Sequence, residues 1–190
     1  MPDRDSIQER GRSLEDDYFR KKDRELIEKI QRAAEADRAR ADMGRAAGLT
    51  DPALAQELLD LGFTAETVVL LPLVPILQMA WAEGGITKEE RDLIVRFARS
   101  RGIAENSAAD LRLTSWMTDR PSEAVFTRAG RLIRAMLDSG SDTSLHADDL
   151  VAYCETIASA SGGVFGIGRI SAEERKLLSG LAADLKSRQS

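Results

Sequence analysis

Cysteine and histidine are nearly absent from this chain of 190 residues, which contains one of each. A single cysteine, Cys154, excludes an intramolecular disulfide and any zinc site built from several cysteines. A single histidine, His146, argues against Ser-His-Asp catalysis and excludes a multi-histidine metal site. We expect Cys154 to lie inert in a helical core and His146 to lie on the surface. These absences leave few routes to enzymatic chemistry.

Long apolar segments and a surplus of positive charge are also missing. The longest apolar stretch, 68–82, has 15 residues, whereas a membrane-spanning helix needs about 20. The first residues of the chain are polar and lack the apolar segment of a secretory signal. The net charge of −5 disfavours nucleic acid as a partner. We therefore expect a cytoplasmic protein that neither spans a membrane nor binds nucleic acid.

What the chain does contain is a succession of helical patterns. No segment shows the alternation of apolar and polar residues that is typical of a half-buried strand. Gly48 is suited to end the first helical segment, and Pro52 to begin the next. The sequence predicts an all-α fold with a helical arm over 1–47 and a compact helical domain over 48–190. Helices of the domain are predicted at 52–61, 65–81 (bent or restarted at Pro72 or Pro75), 88–100, 106–117, 121–139, 145–160 and 172–185.

The arm reads as a long, mostly solvated helix. It holds 12 basic and 12 acidic residues, and acid–base pairs four apart, such as Glu25/Lys29 and Glu28/Arg32, favour helix. Its apolar residues form a narrow stripe. From that stripe and its neighbours we take four candidate partner-binding residues, namely Tyr18, Phe19, Leu26 and Ile30. The stripe would pack on the domain, on a second copy of the chain in a homo-oligomer, or on another protein.

A motif occurs twice, with its two copies 84 residues apart. Residues 84–94 and 168–178 share a glycine, an isoleucine, a hydroxyl residue, Glu-Glu-Arg and two aliphatic residues. Thr87 with Glu90, and Ser171 with Glu174, have the spacing of a capping box at a helix start. The duplication predicts two helix-loop-helix units that pack about a pseudo-twofold axis within one compact domain.

The first copy of the motif also suggests a cation site. Glu83, Glu89 and Glu90 cluster at its loop, and carboxylates with carbonyl oxygens suit Ca²⁺ or another divalent cation. The pattern does not match the twelve-residue EF-hand loop. Capping of the helix is the alternative explanation for these glutamates. A metal hydrolase built on them would lack the ligand density that catalytic metals need, so we expect no enzyme.

At these residues the chain resembles the TerB-like family, which is named after a tellurite-resistance protein. The resemblance lies in 80–91 and 158–171 and extends over about residues 50–187. It implies an all-helical fold of two facing units, a place in stress-response systems, binding of a divalent cation by acidic residues, and contacts with membrane-protein partners. The family usually has Asp-Gly where this chain has Glu83-Gly84, and the longer glutamate alters the geometry of an inherited metal site.

The arm carries a second, local resemblance. Residues 15–26, with an acidic run, Tyr18-Phe19-Arg20 and then mixed charge, are similar to the inhibitory stretch of the mitochondrial ATP synthase inhibitor. That likeness implies a regulator of an ATPase that acts through residues 15–30. The histidine-rich, pH-sensing stretch of that inhibitor does not follow here.

The sequence thus leads to two expectations of function. The first is a non-enzymatic TerB-like scaffold or sensor in a stress-response complex of the tellurite-resistance type. It would bind a protein partner, which is membrane-associated in the family, and a divalent cation. The alternative is the ATPase regulator. A membrane-surface helix based on Arg20-Lys21-Lys22 beside Tyr18-Phe19 is disfavoured because the arm is neutral overall.

Overall fold

The structure is a computed structural model that describes residues 4–82, 84–139, 147–161 and 172–186, with side chains of the first helix described from Tyr18 onward. Within these ranges every regular element is helical, so the predicted all-α class is confirmed. The elements are α1 (Arg4–Ala47), α2 (Pro52–Asp60), a 3₁₀ helix (Val68–Leu73), α3 (Val74–Ala80), α4 (Lys88–Ser100), α5 (Ala108–Thr118), α6 (Glu123–Ser139), α7 (Ala147–Ser161) and α8 (Ala172–Lys186).

The chain forms two compact units, residues 1–40 and residues 41–190. In the first unit, α1 exposes every side chain from Tyr18 to Ala39 to solvent. The last turns of α1 belong to the second unit, where Met43 and Ala47 are buried. The predicted boundary at 47/48 marks the end of this helix.

The second unit has a continuous hydrophobic core. The short α3 lies at its centre and packs against α6 and α7, while α8 packs against α6 and α7 and α4 packs against α7. The side chains that fill this core are almost wholly aliphatic, and those with no exposed surface include Leu58, Leu70, Leu77, Ile94, Leu113, Leu132 and Ile133. Burial of such side chains stabilises a helical unit that has no disulfide.

The apolar segment predicted as one helix over 65–81 is in fact two elements. A 3₁₀ helix over Val68–Leu73 contains Pro72, and α3 restarts with Pro75 in its first turn. Proline lacks an N–H and clashes with the preceding turn of an α-helix, so an α-helix accepts it in its first turn and is broken by it in its interior. The predicted restart at a proline is therefore confirmed, and the α-helical part is much shorter than predicted.

Helix starts follow the side chains that the sequence offers as caps. The Asp51 carboxylate accepts from the Ala53 backbone N–H at 2.8 Å, and the Ser107 hydroxyl accepts from the Asp110 N–H at 3.2 Å. Thr87 and Glu90 form the predicted capping box. Ile86, the residue before that cap, packs half-buried against the core. In the second copy of the motif, Ile86 and Thr87 correspond to Ile170 and Ser171, which lie outside the described residues. The pseudo-twofold arrangement therefore stays a prediction.

Candidate functional site

The most exposed apolar surface in the described chain lies on α1. Its members are the predicted residues Tyr18, Phe19, Leu26 and Ile30, together with Ile27, and each exposes more than half of its side chain. We call these five residues the α1 apolar face. Elsewhere among the described residues, Val69 and Leu111 are the large hydrophobic residues that are exposed. The concentration of five such side chains in 13 residues makes this face the candidate contact surface.

The helical repeat arranges this face as a broad stripe. At 3.6 residues per turn, Phe19, Leu26 and Ile30 fall on one line, with Tyr18 and Ile27 on either side of it. The rings of Tyr18 and Phe19 meet edge to face, with their centres 5.8 Å apart. The ammonium of Lys22 lies 5.8 Å from the centre of the Tyr18 ring. The two aromatic side chains therefore contact each other on their own helix while each stays more than half exposed.

Charged residues surround the α1 apolar face unevenly. Residues 20–24 contain four cations and one carboxylate. Ion pairs on α1 join residues three apart, as in Lys22 with Glu25 at 3.3 Å and Asp37 with Arg40. The guanidinium Nε of Arg32 donates to the backbone carbonyl of Glu28 at 3.3 Å, which is a contact different from the predicted carboxylate pair. A partner that covers this face would meet a cationic edge beside its aromatic end.

The three glutamates of the predicted cation site differ in burial and in whether the structure describes them. The Glu90 carboxylate is buried and accepts from the Thr87 backbone N–H at 2.7 Å and from the Thr87 hydroxyl at 2.8 Å. Glu89 is exposed in the first turn of α4, and Glu83 lies outside the described residues. Among the residues that the structure does describe, no three His, Cys, Asp or Glu side chains form a metal-binding group. Cation binding by the three glutamates stays a prediction.

Two long-range hydrogen bonds hold the ends of the glycine loop that precedes α4. The Trp81 indole N–H donates to the Trp116 carbonyl at 3.0 Å, and the Arg91 guanidinium donates to the Met117 carbonyl at 3.0 Å. Both acceptors lie in the last turns of α5, where helix carbonyls lack intrahelical partners. The end of α3 and the start of α4 are therefore fastened to one helix terminus.

A second buried carboxylate stabilises the connection between α4 and α5. Asp110 pairs with Arg99 at 2.8 Å and accepts from the Asn106 backbone N–H at 2.8 Å. The hydrogen bond from Arg99, followed by that from Asn106, holds the pKa of Asp110 below its ordinary value. This pair is not among the residues predicted from the sequence, although the spacing of Ser107 and Asp110 is a capping signal. Ile27 of the α1 apolar face is also not among them, although it directly follows Leu26 on the same helix.

The single thiol is protected from reaction. Cys154 is fully buried in α7, and burial raises its pKa to about 12, with a smaller contribution from Glu155. A thiol in that state is protonated at neutral pH and is a poor nucleophile and metal ligand. This agrees with the expectation of an inert core cysteine. His146, which was expected on the surface, lies outside the described residues.

Comparison of the chain with models of protein families, with curated proteins and with solved structures finds no match. In the described part of the chain, no helix has both the length and the apolar character that crossing a bilayer requires. The candidate site must therefore be interpreted from its own residues.

Proposed function

We propose that the chain is a non-enzymatic binding protein of the TerB-like kind, which acts as a cytoplasmic scaffold or sensor in a stress-response complex. It would hold a protein partner, which can itself be membrane-associated, through the α1 apolar face. The observation that carries this proposal is the exposure of Tyr18, Phe19, Leu26, Ile27 and Ile30 on one helix. The family context rests on the resemblance of 80–91 and 158–171 described above.

The energetic argument concerns apolar area that the folded chain leaves in water. Full burial of a large apolar side chain stabilises by about 1.5–3 kcal/mol, so side chains that are more than half exposed each retain about 1 kcal/mol for binding. Five of them together provide several kcal/mol. That sum is comparable with the lower estimates of the cost of association, about 4 kcal/mol. The apolar area of this face alone therefore about offsets that cost, and the surface that the partner buries would supply the net affinity.

The shape and charge of the face indicate what kind of partner fits. A straight apolar stripe on a helix is matched best by another amphipathic helix, whose side chains interdigitate with it. The four cations within 20–24 favour a partner that carries carboxylates beside its own stripe. A second copy of the chain is one such partner, because in an antiparallel pair that overlays the two faces residues 20–24 lie opposite 24–28, which contains Glu25 and Glu28.

Site-specific photo-cross-linking in the cells that make the protein tests this proposal. A photoreactive phenylalanine analogue at position 19 of the full-length chain should give covalent adducts on illumination, since this position lies within the proposed contact. The matched control places the analogue at Leu111, which is equally exposed at 61% but lies outside α1. The mass of the adduct distinguishes a second copy from a different protein.

The specificity of the adduct is checked with a triple variant, Phe19→Gln, Leu26→Gln and Ile30→Gln, with the photoreactive group moved to Ile27. These replacements keep good helix formers on the helix and remove apolar area. We expect the adduct to be lost in this variant. Equal cross-linking from positions 19 and 111, or no adduct from either, would contradict the proposal.

The alternative function, regulation of an ATPase, uses the same segment. It is favoured by the resemblance of 15–26 to the ATP synthase inhibitor and by the exposure of Tyr18 and Phe19. The full-length chain should then lower ATP hydrolysis by a bacterial ATP synthase. The double variant Tyr18→Ala and Phe19→Ala should restore hydrolysis, whereas Leu111→Ala should inhibit as the parent does. Unchanged hydrolysis with the parent protein removes this alternative.

A divalent cation at Glu83, Glu89 and Glu90 is the remaining part of the proposal. Calorimetric titration with Ca²⁺, Mg²⁺, Mn²⁺ and Zn²⁺ tests it. The informative variants are Glu83→Gln and Glu89→Gln, because a change at Glu90 also removes a helix cap. Glu105→Gln, an exposed acid of another loop, is the control. The site is supported if at least one cation gives heat of binding with the parent chain and that heat is absent in both informative variants. The absence of binding heat with all four cations overturns it.

A further inference from the structure

The second unit contains an open groove with a volume of about 760 Å³, which no part of the proposed function uses. It lies between the end of α3, the first half of α6 and the middle of α8. Small-molecule sites in proteins have volumes of about 300–1,000 Å³ and are mostly apolar with a few polar groups. The groove has the size of such a site.

The walls of the groove combine apolar and polar side chains in nearly equal measure. Pro75 and Trp81 line it from α3 and its end, Phe126 from α6 and Leu177 from α8. The indole N–H of Trp81 already donates to the Trp116 carbonyl, so the ring contributes apolar surface to the groove and no available donor. Gly180 of α8 borders open space in the groove, since an added Cβ there would meet no atom within 4 Å. A ligand in this groove would meet apolar surface on these side chains and polar groups on Gln78 and Thr127.

The charged groups among the described lining residues have a net positive charge. Arg120 and Lys176 line it with Glu123, the carboxylate among the described lining residues. Arg120 lies 3.3 Å from the Glu123 carboxylate, and its guanidinium lies 5.2 Å from the centre of the Phe126 ring. Two cations and one carboxylate leave a net charge of about +1, in a chain whose net charge is −5. Opposite charge in a ligand would balance this local surplus.

From this combination we propose that the groove binds a small amphipathic monoanion, a carboxylate attached to an apolar body, as in a medium-chain fatty acid. The apolar body would lie against Trp81, Phe126 and Leu177, and the carboxylate would face Arg120 and Lys176. A carboxylate carries one negative charge at neutral pH, which matches the net charge of the described lining residues. A phosphate monoester carries about −1.5 to −2 and would exceed it.

The test uses decanoate below its micellar concentration, with the full-length chain and intrinsic tryptophan fluorescence as the signal. Decanol and decylamine, which have the same chain length but no charge or a positive charge, are the matched ligands. We expect saturable binding of decanoate that is at least tenfold tighter than binding of either analogue, because only decanoate can pair with the two cations. The signal should disappear in Trp81→Phe, since Trp81 lines the groove and Trp116 does not.

Two kinds of variant locate the ligand. Gly180→Leu should fill the groove and abolish decanoate binding, while the thermal midpoint is kept or raised because leucine favours helix over glycine. Its matched control is Ser179→Leu, the exposed neighbour outside the lining, which should bind as the parent does. Lys176→Gln should weaken decanoate binding about tenfold and leave decanol binding unchanged.

Three results would overturn the inference. They are the absence of saturable binding, equal affinity for decanoate and decylamine, and undiminished binding of decanoate by a folded Gly180→Leu variant. Because these experiments leave the α1 apolar face intact, their failure would not bear on the proposed function.

Discussion

The two units of this protein use helices in opposite ways. In residues 41–190, helices meet along their apolar faces, and Leu77 of α3 is completely buried. In residues 1–40, one helix carries Leu26 with 55% of its surface exposed. The difference lies in the spacing of the apolar residues and in their neighbours along the chain. It shows that a helix can be specified by charge and propensity while its apolar stripe remains exposed to water.

The strongest way to break this comparison is to make the same substitution in both units. Leu77→Ala should destabilise the second unit by about 2–5 kcal/mol, since it leaves a cavity in the core. Leu26→Ala should change the free energy of unfolding by less than about 0.5 kcal/mol, because its side chain is already in water. Urea unfolding followed by circular dichroism measures both, and similar losses would show that the face of α1 is covered within the chain.

A smaller effect is expected at the start of α4. Glu90→Ala removes the buried half of the capping box and leaves the Thr87 N–H without this carboxylate, which should cost about 1–2 kcal/mol. Glu89→Ala, an exposed change in the same turn, is the control and should stay within about 0.5 kcal/mol. If both variants unfold at the same urea concentration, then the capping account of Glu90 is wrong.

The stability of the second unit should depend on pH through the carboxyl group of Asp110. Its pKa is lowered in the folded chain by hydrogen bonds from Arg99 and Asn106. The unfolded chain therefore binds more protons than the folded chain in this pH range. The contribution of Asp110 to the free energy of unfolding is complete above the ordinary aspartate pKa, and it is lost as the pH falls through the lower pKa of the folded chain. Thermal unfolding between pH 6 and pH 3 should show a smaller loss of stability for Asp110→Asn than for the parent. An equal loss of thermal stability in the variant and in the parent over this pH range would contradict the role given to Asp110.

The smallest expected effect concerns the reaction of the buried thiol of Cys154, which should not be detectable in the folded chain. Cys154, with its pKa raised to about 12, should not react with a thiol reagent at pH 8 while the chain is folded. The same thiol should react fully in concentrated urea. In the first unit, a cysteine introduced by Gln31→Cys on the exposed helix should react at once under native conditions, which makes the contrast between the units directly visible.

Sequence reasoning reached the helical class and most helix bounds because caps and glycines mark them locally. Asp51 and Thr87 act as caps in the structure. It overestimated the α-helix over 65–81, since apolar periodicity alone does not show how far a proline shortens the regular part. Tertiary pairs such as Arg99 with Asp110, and the groove around Gly180, join residues from different elements, so no local pattern predicts them.

Hydrogen exchange of the purified full-length chain tests the central claim most directly. At low protein concentration, the amides of residues 18–39 should exchange far faster than those of α3 and α6, because a solvated helix opens easily whereas a packed core opens only with global unfolding. Protection of 18–39 should rise when the partner is added, or with protein concentration if the partner is a second copy. Protection equal to that of α3 at every concentration would contradict the account, since the α1 apolar face would then already be covered within one chain.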